Sequence, residues 1–308
     1  LIFGKAAFEA AFLLNLLQGS SVKSHVMKSI LFLFTLTMLV SFRAEAQSPL
    51  EIAQAHYAAG RYDDALAAVG VAVTTDRSAD ALFCRANIHH KLGHFTEALD
   101  DYDRAKLAGY SNDELYLHRG ICKASLMMYE SARIDLMHYL EYNPDDAHPY
   151  YWLASIEYMN MENKSSLRYL DEALAIDSTY ADAYYLRAAN MAELNKMNLS
   201  LEDFQSALYY NPKLQRAKLN MAVILIGMGQ YDNALELLSE LRLENVEFLS
   251  EVLYYRGETL YYLHDLDGAC NDWNDSANMG DRDALQNHKR VCADKGKLKN
   301  KKRTYFQF

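Results

Sequence analysis

Three hexads decide how this chain is read: Gly60-Arg61-Tyr62-Asp63-Asp64-Ala65, Gly93-His94-Phe95-Thr96-Glu97-Ala98 and Gly229-Gln230-Tyr231-Asp232-Asn233-Ala234. Their last residues belong to one ladder of small side chains, Ala65, Ala98, Ala132, Ser166, Ser200, Ala234 and Ala269, spaced 33 to 35 residues apart. Twelve residues before each rung stands another small residue: Ala53, Ala86, Gly120, Ala154, Ala188, Ala222 and Gly257. Four residues after each rung stands a larger apolar one: Val69, Tyr102, Leu136, Leu170, Phe204, Leu238 and Trp273. A period of this length, held over seven units, is the mark of a repeat architecture.

Within a unit the spacing predicts two antiparallel helices. Small residues occur where two helices cross closely, and the larger residue at i+4 fills the space beside them. Asn143-Pro144 and Asn211-Pro212 end second helices, because proline cannot continue the hydrogen-bond ladder. The predicted pairs are 50–59 with 62–74, 79–92 with 95–108, 113–126 with 129–142, 147–160 with 163–176, 181–194 with 197–210, 215–228 with 231–243, and 249–263 with 266–279. A further helix over 281–292 is expected to cap the last apolar face. Gly60, Gly93 and Gly229 mark the turn inside a hairpin. Met127 and Met161 replace that glycine in the third and fourth units, and Asn163 replaces the aromatic residue two positions on. Those two turns are expected to be less regular.

This pattern resembles the tetratricopeptide repeat over about residues 47–280. The resemblance implies an all-α fold, an α-α superhelix or solenoid of about seven hairpins plus a C-terminal capping helix. With no internal linker, residues 47–292 are expected to be one continuous domain.

Composition agrees with a folded chain: 308 residues, 51% hydrophobic and 23% charged, with four prolines. That excludes collagen, a proline-rich linker and wholesale disorder. The formal net charge is −10. Residues 47–292 hold 21 basic against 38 acidic residues, a balance of −17, which argues against a nucleic-acid partner. At the start, Met27-Lys28 precedes an apolar run over 29–40, and Ala44-Glu45-Ala46 offers a small-x-small cleavage site before Gln47. Residues 27–46 read as a secretory signal peptide and 1–26 as an upstream, non-native extension. The competing reading is a membrane anchor extended by the apolar residues 6–17. The run over 29–40 is too short to span by itself, so the mature chain is expected to be exported, to periplasm or outer envelope, without an integral span. Residues 293–308 form a basic tail.

In the tetratricopeptide family the first helix of each pair lines a concave groove that takes partner peptides. Carried over by position, the resemblance assigns Phe83, Asn87, His90 and Lys91 to this groove, then Leu117, Ile121 and Ser125. It continues with Tyr151, Ser155 and Tyr158, then Tyr185, Ala189 and Glu193. Leu219, Val223 and Ile226 follow, and Tyr254, Glu258, Tyr261 and Tyr262 end the set. The surface so defined is aromatic and lightly charged, unlike the basic clamp that holds C-terminal carboxylates in chaperone-binding members. Tyrosine offers contact area at low entropic cost. The other reading of each tyrosine is packing between neighbouring first helices.

Arg85, Arg119, Arg187 and Arg256 share one position in their units and are expected to pair with Asp101, Asp135, Asp203 and Asp272; an anion-binding ladder is the other reading. Cys270 and Cys292 are expected to form a disulfide in an oxidising compartment, the alternative being two buried thiols. Cys84 and Cys122 read as core residues. His89, His90 and His94 do not converge on a metal, and no metal-binding, phosphate-cradling or nucleophile-elbow motif occurs. No catalytic residue, cofactor or metal is therefore assigned. The expected function is a non-catalytic scaffold that binds a partner protein or peptide in a tyrosine-rich groove. The alternative is a structural subunit of an envelope complex, docked through its convex face and terminal repeats. The combination resembles exported repeat proteins of Gram-negative envelopes, Bacteroidota among them.

Overall fold

The computed structural model describes residues 47–75, 77–244 and 246–292. The signal peptide, the upstream extension and the basic tail read from the sequence lie outside the described residues.

Fifteen α-helices and no strand occur among the described residues. They are α1 (Pro49–Ala58), α2 (Tyr62–Thr75), α3 (Ala79–Lys91), α4 (Phe95–Leu107), α5 (Glu114–Ser125), α6 (Tyr129–Tyr142), α7 (Ala147–Met159), α8 (Asn163–Ile176), α9 (Ala181–Glu193), α10 (Met197–Tyr210), α11 (Gln215–Gly227), α12 (Tyr231–Leu243), α13 (Leu249–Tyr262), α14 (Leu266–Asn278) and α15 (Arg282–Asn287). The predicted cap over 281–292 is shorter than expected: α15 gives way to one π-type turn over His288–Cys292. The helices start where side chains satisfy orphan N–H groups. Ser48 and Glu51 form a capping box on α1, and Asp281 accepts from the Asp283 and Ala284 amides of α15.

The described chain divides into two compact units where the sequence suggests one. The first contains residues 47–94 with 103–109, so that α1, α2 and α3 belong to it. The second contains residues 95–102 with 110–292. In the first unit α1 packs on α2, and α2 on α3. In the second, α5 packs on α6, α7 on α8, α9 on α10, α11 on α12 and α13 on α14, a solenoid of hairpins closed by α15 against α14.

The ladders are the core. Ala65, Ala98, Ala132, Ser166, Ser200, Ala234 and Ala269 are each 0% exposed, and the i+4 residues from Val69 to Trp273 are 2% exposed or less. Where serine replaces alanine, its hydroxyl is satisfied across the hairpin: Ser166 Oγ donates to the Ala154 carbonyl at 2.8 Å and Ser200 Oγ to the Ala188 carbonyl at 2.7 Å. A buried hydroxyl without that acceptor would be costly.

The turns correct one expectation. Seven residues at one position in the repeat have positive φ: Gly60, Gly93, Met127, Met161, Asn195, Gly229 and His264, at 71°, 77°, 59°, 62°, 58°, 74° and 65°. Each turn closes with the same two backbone bonds, as in Met127 N–H to the Ala124 carbonyl and Met128 N–H to the Lys123 carbonyl. That is the helix-terminating pattern glycine normally serves. The Met turns are thus as regular as the Gly turns, because the packed hairpin imposes the backbone and methionine bears the strain.

Candidate functional site

The charged ladder is structural. Arg119 donates to Asp135 from Nε at 2.7 Å and Nη2 at 2.6 Å, Arg187 to Asp203 at 2.8 Å from each, and Arg256 to Asp272 at 2.7 Å from each. Each is a two-pronged bond from the first helix of a hairpin to the second, which fixes their register. Asp135, Asp203 and Asp272 are all buried. The fourth and sixth hairpins carry Leu153 with Tyr169 and Met221 with Leu237 at the same two places, so apolar pairs substitute for ion pairs. These arginines are therefore engaged within the fold, as expected.

Two clusters of groove residues emerge in the second unit. The first lies on α7 and α9. Tyr158 Oη donates to Glu193 Oε1 at 2.6 Å, and Asn163 Nδ2 donates to Glu193 Oε2 at 3.0 Å, so both carboxylate oxygens are occupied. Burial, and then the bond to Glu193, pushes the Tyr158 hydroxyl up to about 12. Tyr151 is half-buried, its ring 5.2 Å from Tyr180 and 5.7 Å from Trp152, and burial pushes its hydroxyl up to about 12. Tyr185 sets its ring edge-on to Phe204 at 5.5 Å, and its hydroxyl accepts from Asn220 Nδ2 of α11 at 3.0 Å. Ser155 is half-buried on the same helix as Tyr151 and Tyr158.

The second cluster lies on α13. Tyr254 and Glu258 are half-buried, and Tyr261 and Tyr262 are exposed. Tyr262 stacks on Tyr231 with centroids 4.8 Å apart, and Tyr261 tilts against Trp273 at 5.8 Å. Tyr261 and Tyr262 border an open cleft of about 440 Å³ together with His264, Leu266 and Val291. Burial holds the Glu258 carboxyl above its usual range.

Other groove candidates fare differently. Leu219 is 0% exposed, packed with Leu225, Leu238 and Val252 in the core, so the expectation that it lines a surface is corrected. Leu225 and Leu238 of the sixth hairpin and Val252 of the seventh cover it, so the position is filled by the packing of neighbouring hairpins. Ile121 is also buried, in a cluster with Leu136, Leu153 and Ile156 that Leu117 joins from the edge. Val223 is half-buried. In the first unit Phe83 is buried, while Asn87 and His90 are half-buried. Burial and then Lys91 hold the His90 imidazole below its usual range. Asn163 and Asn220 are partners of groove side chains that the repeat pattern does not assign. For Asn163 a signal is present in the sequence, since it breaks the aromatic pattern after the turn.

Cys270 of α14 and Cys292 of the C-terminal turn stand close enough for a disulfide, with Cα atoms 5.9 Å apart. Cys84 and Cys122 are buried thiols, as the sequence implied, and Cys122 Sγ donates to the Phe95 carbonyl at 3.0 Å. Among the described residues no group of three or more His, Cys, Asp or Glu side chains is placed to hold a metal ion. No helix among them is long and apolar enough to cross a membrane.

A tetratricopeptide-repeat family model matches residues 50–114. No curated protein sequence matches the chain. Among solved structures the chain is similar to a tetratricopeptide repeat protein from Parabacteroides merdae, at 16% identity and a TM-score of 0.58, covering 79% of this chain and 97% of that one. It is similar to PilF of Pseudomonas aeruginosa, at 15% identity and a TM-score of 0.60, covering 70% of this chain and 98% of that one. It is also similar to the Cut9–Hcn1 hetero-tetramer structure, at 14% identity and a TM-score of 0.64, covering 79% of this chain and 48% of that one. Likenesses at such identities speak for the fold alone. The family model covers the first repeats, and the same small-residue ladder, buried through all seven hairpins, extends the likeness to tetratricopeptide repeats along the rest of the described chain.

Proposed function

We propose that this protein is a non-catalytic interaction scaffold that binds a partner protein or peptide on the first-helix face of its second unit. The observation that carries the reading is the arrangement on α7, α9 and α13. Polar aromatic side chains there are fixed by packing and hydrogen bonds, as Tyr158 and Tyr185 are, while Tyr261 and Tyr262 remain exposed. Rigid tyrosines lose little entropy when a partner covers them.

A second reading is favoured by Ile134, Met137, Leu199 and Tyr209, which stand 70%, 50%, 46% and 79% exposed on second helices. A structural subunit docked through its convex face would cover these residues. Export to the periplasm or outer envelope is supported by the hydrophobic run before Gln47 and by the closely placed Cys270 and Cys292, whose bond would persist in an oxidising compartment.

A photo-crosslinking side chain placed separately at Ser155, Tyr262, Ile134 and Tyr209, in cells that make the protein, tests the reading. Crosslinks from Ser155 and Tyr262 are expected. Crosslinks from Ile134 and Tyr209 alone would overturn the groove in favour of convex docking. The N-terminal residue of the mature protein, expected to be Gln47, tests export.

A further inference from the structure

The chemistry of the partner can be read from two glutamates, on the footing that the groove proposed above is the binding face. Among the second-unit positions assigned to that face the charged residues are Glu193 and Glu258. Glu193 is satisfied within the fold by Tyr158 and Asn163. Glu258 is not: it is half-buried, and among the described residues no hydrogen bond or ion pair reaches it. Arg256, two positions before it in the sequence, is engaged with Asp272.

A half-buried carboxylate without a counter-charge is a net cost to folding. Its neighbours suggest what removes that cost. Tyr254 lies one helical turn before Glu258, and Tyr261 and Tyr262 one turn after, so all four share a face of α13. The two later tyrosines are exposed and border the cleft of about 440 Å³. Aromatic ring faces attract cations, and the −17 balance of residues 47–292 draws a cationic partner in.

We infer that the α13 end of the groove receives an arginine or lysine side chain from an extended partner segment, with Glu258 as its counter-charge and Tyr261 and Tyr262 as the ring walls. The rest of the segment then runs along a face that offers tyrosine hydroxyls and apolar surface but no competing cation. This position makes the groove selective for basic segments over acidic ones, because an acidic side chain there would meet an unpaired carboxylate.

The test is selection of a random-peptide display library on the full chain, followed by titration of the enriched peptides against the wild type, Glu258→Gln and Ser155→Trp. Basic peptides should be enriched. Glu258→Gln should weaken them about tenfold and flatten their salt dependence, while leaving the circular dichroism melt no lower than wild type. Ser155→Trp should weaken them by obstructing the groove. Enriched peptides that lack cations, or that bind Glu258→Gln as tightly as wild type while still sensitive to Ser155→Trp, would overturn the cation site and leave the groove standing. An absence of enrichment, or binding insensitive to Ser155→Trp, would overturn both.

Discussion

Gly257 faces Trp273 so closely that a Cβ at position 257 would stand 2.7 Å from the indole Cδ1 and 2.8 Å from Nε1. The indole is held in place by its Nε1–H bond to the Tyr254 carbonyl at 3.2 Å, and it is 2% exposed. The seventh hairpin therefore trades the alanine of the ladder for glycine because its i+4 residue is tryptophan. Gly257→Ala should destabilise the protein by about 1–3 kcal/mol through overpacking, measured by urea unfolding. Gly70 sits within α2, and a Cβ added there would meet nothing within 4 Å, so Gly70→Ala should instead gain about 0.5–1 kcal/mol.

Met127 and Met161 hold φ values of 59° and 62° and are 72% and 87% exposed. Their side chains bury little, and their backbone occupies a region that disfavours a Cβ by about 1–2 kcal/mol. Glycine would relieve this strain while adding freedom to the unfolded chain. Met127→Gly and Met161→Gly should each raise stability, by up to about 1 kcal/mol, seen as a higher urea midpoint with an unchanged slope.

These turns show what was legible in the sequence. The ladders were legible because a small residue at a helix crossing is a steric requirement, and it recurs wherever the crossing does. The left-handed turn belongs to the same ladder, so Asn195 and His264 could have been placed at it from their spacing alone. Its regularity at Met127 and Met161 was not legible, since local preference argued against a backbone that two packed helices enforce. Leu219 shows the converse limit. Its place in the repeat is a groove position, and only its neighbours Leu238 and Val252 reveal that it is buried. The partnership of Glu193 with Asn163 joins residues 30 apart, a pairing no single repeat contains.

Arg187 and Asp203 can be exchanged for the residues that hairpin six carries in their places. Asp203→Leu alone leaves a half-buried guanidinium with the exposed Asp171 as its one remaining carboxylate partner beside the Tyr184 ring, and should cost about 3–5 kcal/mol. The double change Arg187→Met with Asp203→Leu reproduces the Met221 and Leu237 pair. It should recover most of that loss, giving a large coupling in a double-mutant cycle. Equal losses for the single and double variants would show that the ion pair is not what registers the two helices.

A bond between the closely placed Cys270 and Cys292 would close a separation of 22 residues. In the chain-entropy model such a loop contributes about 3 kcal/mol. Cys270→Ser with Cys292→Ser should lose up to that amount. Amide exchange should accelerate most over 281–292, because α15 is only 6 residues long and its one covalent tie would be gone.

Glu258 and Asp146 should respond to pH in opposite senses. Burial penalises the Asp146 carboxylate, but bonds from the His148 amide, the His148 ring and the Tyr139 hydroxyl outweigh it and hold the group below its usual range. Its contribution to stability is present above the unfolded value and is lost as pH falls through the folded one. For Glu258 burial acts without compensation, and the group lies above its usual range. The fold favours its neutral form, so its contribution is present below the unfolded value and is lost as pH rises through the folded one. Glu258→Gln removes that loss. The variant should therefore be more stable than wild type at neutral pH, and the difference should close as the solution is acidified past the carboxylate range. Asp146→Asn should do the reverse, being less stable at neutral pH and converging on wild type in acid. A Glu258→Gln difference that stayed constant across the titration would mean that the carboxyl finds a counter-charge in solution, and that its burial is not what sets its affinity for protons.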